Sequence, residues 1–285
     1  YACTYCFNHS FNKMFKGTGK LLRRRSVDNV IDEIKQVQLL FSPTRFIRFS
    51  DDTFVFSKND WREEFVEKYK KEINLPFYCL MRSNTLTDEV ARILVYAGGK
   101  SRGMALEAAD EHIRNSILKR NLSNDTVIAS FRIARKHGLA TYGGTILGIP
   151  GVTIDQEFKN VFFAKELKID VPVFTIFAPY PGTELTEYAI SHGFLDSSQA
   201  KKFSGVNDRS LHKCFTNREM DIQLRLQYLG TLYCILPFFS KTLLRIFCRI
   251  SLPLKIYAFL YSIVTSFLMQ LKIVPGASPR SLKTI

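Results

Sequence analysis

Two cysteines stand three residues apart near the start of the chain, in Tyr1-Ala-Cys3-Thr-Tyr-Cys6. Such a loop can hold two thiolates on one metal centre, because the short span directs both sulfurs inward. A zinc site would need two more ligands, and a thiol–disulfide site would need a strand and helix around the pair. The sequence offers neither, and His9 alone is typical of a polar surface.

Composition narrows the class of protein. The 285 residues, 46% of them hydrophobic, suffice for one large domain with an extension. Six scattered cysteines do not form the framework of a secreted disulfide protein, so a reducing cytoplasm is indicated. The net charge is +14, but eight basic and no acidic residues follow Asp221. This is a basic tail on a moderately basic body, which does not indicate a nucleic-acid-binding protein.

Apolar runs alternate with helix-like segments along the first part of the chain. Strands are predicted at residues 46–49, 77–81, 103–106, 140–147 and 173–178. Helices are predicted at residues 27–40, 59–73, 88–96, 123–137 and 154–167. This alternation predicts βα units around a parallel sheet or barrel.

Each predicted strand is followed within a few residues by polar or turn residues. They are Asp51 and Asp52, Arg82, Glu107, the turn from Gly148 to Gly151, and the turn from Pro179 to Thr183. The chemistry of βα barrels lies at the carboxyl ends of the strands. We therefore predict that these residues form the rim of a functional site.

These motifs together resemble the radical S-adenosylmethionine (SAM) enzymes. The cysteine loop is similar to the end of their C-x-x-x-C-x-x-C motif, and the likeness extends over residues 1–193. The segments that carry it include Arg25-Ser-Val27, Phe49-Ser-Asp-Asp-Thr-Phe54, Ala105-Leu-Glu107, Ile117-Leu-Lys-Arg120 and Leu147-Gly-Ile-Pro-Gly151. The series is most similar to the subgroup with an upstream cobalamin-binding domain, which includes carbon methyltransferases and ring-forming enzymes.

The resemblance implies a partial (β/α) TIM-like barrel of the radical SAM type over residues 1–193, with its first strand missing. Residues 194–285 are then an α-helical extension. The first cluster ligand is expected two positions before Tyr1. A fragment that begins there is expected to be inactive on its own.

The same resemblance implies the cofactors. Three thiolates on a [4Fe-4S] cluster leave one iron free to chelate SAM, and an electron from the cluster cleaves the sulfonium. Cys3 and Cys6 would be the second and third ligands, and Tyr5 would lie near the adenine. Cobalamin is possible through the upstream domain. A flavodoxin or ferredoxin would supply the electron.

Five further residues are candidates for contact with SAM. Asp51 and Asp52 match positions near the SAM amino group or the substrate, and the alternative is a helix-capping pair. Glu107 is a carboxylate expected in buried surroundings, so it needs a partner, and we favour SAM over a structural ion pair. Arg120 would pair with the SAM carboxylate or lie in solvent. Gly148 would begin a turn that approaches the adenine.

The pattern changes after residue 193, where helices are predicted at residues 222–236 and 240–250. The uncharged segment 256–271 is shorter than the ~20 residues that span a bilayer. It predicts either a helix on an anionic membrane surface or a helical cap that packs on the barrel.

These features predict a radical SAM enzyme that methylates or otherwise transforms an unactivated carbon. The apolar tail suggests a lipid-like small molecule as substrate. We expect a cytoplasmic location, with possible contact at the inner membrane surface. Two alternatives remain: a zinc or thiol-redox protein, and a membrane-bound scaffold with a degenerate barrel.

Overall fold

Five parallel strands form a single sheet in chain order. The computed structural model describes residues 2–20, 23–54, 56, 59–201 and 209–275. The strands are β1 (Ile47–Arg48), β2 (Phe77–Leu80), β3 (Gly99–Gly103), β4 (Ala140–Leu147) and β5 (Val171–Ile176). Each pairs in parallel with the next. Because the order is sequential and helices fill the connections, the predicted partial barrel is confirmed; the sheet is not closed among the described residues.

Helices connect and surround these strands. In the first part of the chain they are α1 (Phe7–Met14), α2 (Val27–Leu40), α3 (Asp60–Glu72), α4 (Asp88–Ala97), α5 (Asn124–Lys136), α6 (Ile154–Glu166), α7 (Glu184–Ser191) and α8 (Ser197–Lys201). Ser26, Thr87, Ser123 and Thr153 each cap a helix with a side-chain oxygen that accepts a backbone N–H. These caps fix where α2, α4, α5 and α6 begin.

The prediction for the third strand was wrong. The apolar run 103–106 suggested a strand there, whereas β3 lies at Gly99–Gly103. Its sequence, Gly-Lys-Ser-Arg-Gly, carries no apolar pattern. Close packing explains the glycines: a Cβ at Gly99 would lie 2.8 Å from Leu94 Cγ, and one at Gly103 would lie 2.3 Å from the Tyr78 hydroxyl. Residues 104–107 instead continue beside β4 through bonds to the carbonyls of Tyr142 and Gly144.

Side chains alternate between the two faces of the sheet. Phe77 and Cys79 of β2 pack with α2, α3 and α4 in one apolar core. A second core on this side joins β4 and β5 to α6 and to the long helix α9 (Asn217–Ile235). Tyr78 and Leu80 face the opposite side, where they contact Ile273 at the end of the last helix.

Besides the short α8, the described part of the extension contains three helices: α9, α10 (Lys241–Phe247) and α11 (Leu254–Leu268). A π-helical turn, Met269–Ile273, continues α11 to a length of 20 residues. This is longer than the predicted segment, and it is the one helix among the described residues that is long and apolar enough to cross a membrane. It nevertheless packs on α9 and on the sheet, as the helical-cap alternative requires. The division of the chain at residue 193 stays a prediction.

Candidate functional site

The cysteine loop is anchored to the protein through Thr4. Its N–H donates to the Leu118 carbonyl at 3.2 Å, and its hydroxyl donates to the Ile117 carbonyl at 2.7 Å. Cys3 is buried and Cys6 partly exposed, and the Cys6 N–H donates to the Cys3 carbonyl at 3.2 Å. The two thiols therefore lie on a fixed turn that leads directly into α1.

Glu107 lies just beyond β3 in an unusual backbone conformation. Its φ of 62° is left-handed, which is uncommon for a residue with a side chain. Its N–H donates to the Gly144 carbonyl at 3.1 Å, and its carbonyl accepts from the Ile146 N–H at 3.0 Å. These two backbone hydrogen bonds to β4 hold Glu107, whose carboxylate is buried, at the carboxyl edge of the sheet.

Tyr5, Glu107 and Arg120 form one hydrogen-bonded network. The Tyr5 hydroxyl donates to Glu107 Oε1 at 2.7 Å and accepts from Arg120 Nη1 at 2.7 Å. Arg120 Nη1 also lies 3.4 Å from Glu107 Oε1. The prediction that Glu107 has a partner is confirmed. Its partner in this structure is Arg120, and because Arg120 is buried, the solvated alternative for Arg120 is wrong. Contact of either residue with SAM stays a prediction.

Burial and charge set the titration of this network. Burial, with a further contribution from Glu107, raises the pKa of Tyr5, so the phenol stays protonated. For Arg120, burial alone would lower the pKa, but Glu107 and Tyr5 outweigh it and the net shift is upward. The network therefore keeps a neutral phenol beside a permanent cation.

Arg82 connects this network to the cysteine loop. Its Nη2 donates to the Arg120 carbonyl at 2.6 Å, and its Nη1 lies 3.7 Å from Cys3 Sγ. Arg82 stood among the residues after predicted strands, but sequence gave no reason to assign it a role. Its position against Cys3 offsets the negative charge that a ligating thiolate carries.

The turn at Gly148 is supported from behind by a buried acid. Gly148 has a φ of 71°, and its N–H donates to Glu157 Oε1 at 2.6 Å. Gln223 Nε2 donates to the same oxygen at 3.0 Å. Burial raises the pKa of Glu157 to about 8. Glu157 was not among the predicted site residues, although a carboxylate among the apolar positions of α6, between Ile154 and Val161, was a detectable signal.

Asp51 and Asp52 form no hydrogen bond or ion pair with the residues of this network. Both are exposed after β1, and neither side chain forms a salt bridge with another described residue. The capping alternative is wrong, because α3 begins at Asp60 and Asn59 caps it. Their contact with SAM stays a prediction, as does that of Gly148.

A zinc site is not assembled in the described part of the chain. No three His, Cys, Asp or Glu side chains come together there in an arrangement that could hold a metal ion. His9 Nε2 is instead 3.1 Å from Glu184 Oε1. The ligand roles of Cys3 and Cys6 stay predictions.

Parallel βα barrels gather their chemistry at the edge where Glu107 and the cysteine loop meet, so the fold and the position of the site are those of a βα-barrel protein. The chain belongs to the radical SAM superfamily, which it matches over residues 1–162. Members of this family are enzymes that use a [4Fe-4S] cluster and SAM.

Two curated relatives are methyltransferases by name. An uncharacterized methyltransferase, PH0819, of Pyrococcus horikoshii is 30% identical over 224 residues, which are 79% of this chain and 48% of the relative. The cytidylyl-2-hydroxyethylphosphonate methyltransferase of Streptomyces wedmorensis is 24% identical over 206 residues, 70% of this chain and 37% of the relative. The chain therefore spans half or less of the length of these relatives.

Solved structures share the fold. The radical SAM methyltransferase TsrM of Kitasatospora setae, with cobalamin and a [4Fe-4S] cluster bound, superposes with a TM-score of 0.55 at 17% identity. That match covers 67% of this chain and 37% of TsrM. The cobalamin-dependent enzyme OxsB superposes with a TM-score of 0.58 at 11% identity, over 99% of this chain and 47% of OxsB.

Proposed function

We propose that this chain is the radical SAM part of a methyltransferase. The observation that carries the proposal is the continuous connection from Cys3 through Arg82 and Arg120 to Glu107 and Tyr5. It joins the cysteine turn to a buried acid–arginine pair at the edge of the sheet where barrel enzymes place their chemistry.

The residues present fit the family's cofactors. Cys3 and Cys6 would hold two irons of the cluster through thiolates on one turn. Arg120 has a buried Nε without a hydrogen-bond partner, so this guanidinium retains a donor for a ligand carboxylate. When bound, the cluster supplies the electron that cleaves the SAM sulfonium.

The chain's own residues would orient SAM and exclude water. Glu107 and Tyr5 fix the Arg120 guanidinium in one direction, which costs no reordering when an anionic group binds. Tyr5 stays protonated and donates to Glu107, so its phenol is not a free base near the reacting groups. Positioning is thus the role we assign to the network.

Three finer statements extend the proposal. Methyl transfer and a role for cobalamin draw support from the relatives' names and from the cobalamin bound to TsrM and OxsB. A flavodoxin or ferredoxin as electron donor draws support from exposed Lys16 and Lys20, which follow α1, because exposed basic residues attract an acidic protein. A lipid-like small molecule as substrate draws support from the exposed apolar helices of the extension.

Product analysis of the full-length protein tests this proposal. We would reconstitute it anaerobically with iron and sulfide, add dithionite and SAM, and measure 5′-deoxyadenosine and S-adenosylhomocysteine. Wild type is expected to form at least one of them, and Cys3→Ser and Cys6→Ser neither. Cys234→Ser, on α9, is the matched control and keeps wild-type turnover. If wild-type protein forms neither product, the proposal fails.

A further inference from the structure

We propose that the exposed face of α11 and its π-helical end, which we call the α11 face, lies in the surface of a membrane that contains anionic lipid. This inference concerns where the protein docks. It does not depend on the reaction proposed above.

The α11 face is a continuous apolar stripe. In α11 itself, only Tyr257 is buried. The exposed apolar side chains along the helix are Ile256 (44% exposed), Phe259 (65%), Leu260 (45%), Ile263 (53%), Phe267 (62%) and Leu271 (57%). Ile256, Leu260, Ile263, Phe267 and Leu271 recur every three or four residues, and Phe259 is three residues after Ile256 and four before Ile263, so all six lie on one side of the helix. Large exposed apolar patches of this kind mark interaction surfaces.

The opposite side of the helix is attached to the protein. The Tyr257 hydroxyl donates to the Ile250 carbonyl at 2.9 Å, and the ring of Tyr261 lies 5.5 Å from that of Tyr228. At the far end, the Ser101 hydroxyl donates to the Ile273 carbonyl at 2.5 Å. A helix that crosses a bilayer would have to give up these contacts with the sheet and α9. The α11 face therefore suits a helix that lies in the membrane plane.

The charges around the α11 face indicate which kind of membrane surface it would bind. Lys255 and Lys272 flank the stripe, Arg249 lies just before it, and all three are exposed. None forms a salt bridge with a described residue, whereas Arg245 on α10 lies 2.7 Å from Asp155. No acidic residue follows Asp221 in the sequence. Unpaired basic residues beside an apolar stripe attract anionic lipid headgroups.

The same charges argue against a second copy of the chain as the occupant. In a symmetric dimer, the same patch of each subunit faces the other. Lys255 and Lys272 would then approach their own counterparts without any neighbouring carboxylate on this segment to neutralise them. An anionic membrane satisfies both the apolar stripe and its basic edges.

Vesicle sedimentation of the full-length protein tests the proposal. We expect about tenfold or greater preference for phosphatidylcholine vesicles with added phosphatidylglycerol over phosphatidylcholine alone, reduced by salt. Phe259→Ser with Phe267→Ser should weaken binding to the anionic vesicles by about tenfold or more. The matched control is Leu39→Ser with Leu40→Ser, which changes two apolar side chains on α2 that are even more exposed, at 83% and 75%.

The contribution of charge is tested separately. Lys255→Glu with Lys272→Glu should remove the preference for phosphatidylglycerol, whereas Lys16→Glu with Lys100→Glu should retain it. Circular dichroism establishes that each variant is folded.

The proposal is overturned if wild-type protein binds neither vesicle. It is also overturned if the Phe259 and Phe267 changes convert a dimer to a monomer without affecting vesicle binding. Finally, it fails if hydrogen exchange of α11 is equally slow with and without vesicles, because another part of the full-length protein then covers the face.

Discussion

At the scale of single residues, the site depends on one buried acid–arginine pair. Glu107 and Arg120 are both buried, and Tyr5 contributes a hydroxyl that bonds to each. A buried ion pair adds little net stability, but removing one partner leaves the other charge without compensation. The role of the pair is therefore to hold the Arg120 guanidinium in one orientation.

The first prediction concerns this pair. Glu107→Gln should lower the free energy of unfolding by about 3–5 kcal/mol, because it leaves Arg120 buried and uncompensated. Glu107→Gln combined with Arg120→Met should recover part of that loss. Urea unfolding measures both. A single variant that loses less than about 1 kcal/mol would contradict the account of the pair.

Glu157 gives the second prediction, a pH dependence. Its folded pKa of about 8 exceeds the usual 4.5, so the folded protein holds a proton that the unfolded chain releases. This contribution to stability is complete below pH 4.5 and is lost as pH rises through 8. Between pH 6.5 and 8 the loss is at most about 2 kcal/mol.

Glu157→Gln isolates that contribution. Burial lowers the pKa of His212 from 6.5 to about 4, so this histidine also titrates in the unfolded chain near pH 6.5, but its contribution is the same in both proteins and cancels in their difference. The difference in unfolding free energy between wild type and Glu157→Gln should therefore change with pH in this window. Parallel stability curves for the two proteins would show that Glu157 is ionised in the fold.

At the scale of elements, the turn after β4 provides a third prediction. Gly148 and Gly138 have nearly equal left-handed φ values, 71° and 69°. Changing either to alanine should destabilise the protein by about 1–2 kcal/mol, since a Cβ is unfavourable there. Neither clashes, because the nearest atom to a Cβ at Gly148 is Ile176 Cγ2 at 3.4 Å and a Cβ at Gly138 meets nothing within 4 Å.

The two variants should differ in their affinity for SAM. Gly138 ends α5, away from the cysteine loop, whereas Gly148 begins the turn that we expect beside the adenine. Equilibrium dialysis should show weaker SAM binding for Gly148→Ala and unchanged binding for Gly138→Ala. Equal affinities would remove Gly148 from the SAM site.

Helices and strands were predicted correctly where the hydrophobic periodicity was strong. The prediction failed where close packing determined the residue types. The bounds of α2 and β4 match the predictions, because their apolar residues repeat regularly over many positions. The short helix α1 was missed, and β3 was misplaced because close contacts with Leu94 and Tyr78 select glycine there. Hydrophobicity alone does not reveal such contacts.

Part of the candidate site could likewise be predicted from the sequence. Resemblance gave Cys3, Tyr5, Glu107 and Arg120, all of which lie in the network or adjoin it through Arg82. The hydrogen bonds of Tyr5 to Glu107 and Arg120 link residues that are more than 100 positions apart in the chain. No local pattern encodes such contacts, so the role of Arg82 emerges only from the folded chain.

At the scale of the whole molecule, the cysteine loop and the extension contact different parts of the sheet. The cysteine loop lies at the carboxyl edge of the strands, and the end of α11 contacts Tyr78, Ser101 and Val171 within the sheet. The extension therefore both supports the barrel and presents the α11 face outward. Chemistry and docking are assigned to separate parts of the protein.

The central claim is that Cys3 and Cys6 ligate an iron–sulfur cluster. The most direct test measures iron and sulfide in the anaerobically reconstituted full-length protein, comparing wild type with the Cys3→Ser, Cys6→Ser double variant and with Cys234→Ser. We predict about four irons and four sulfides per chain for wild type and Cys234→Ser, and a loss of both in the double variant. Full iron and sulfide in the double variant would contradict the account.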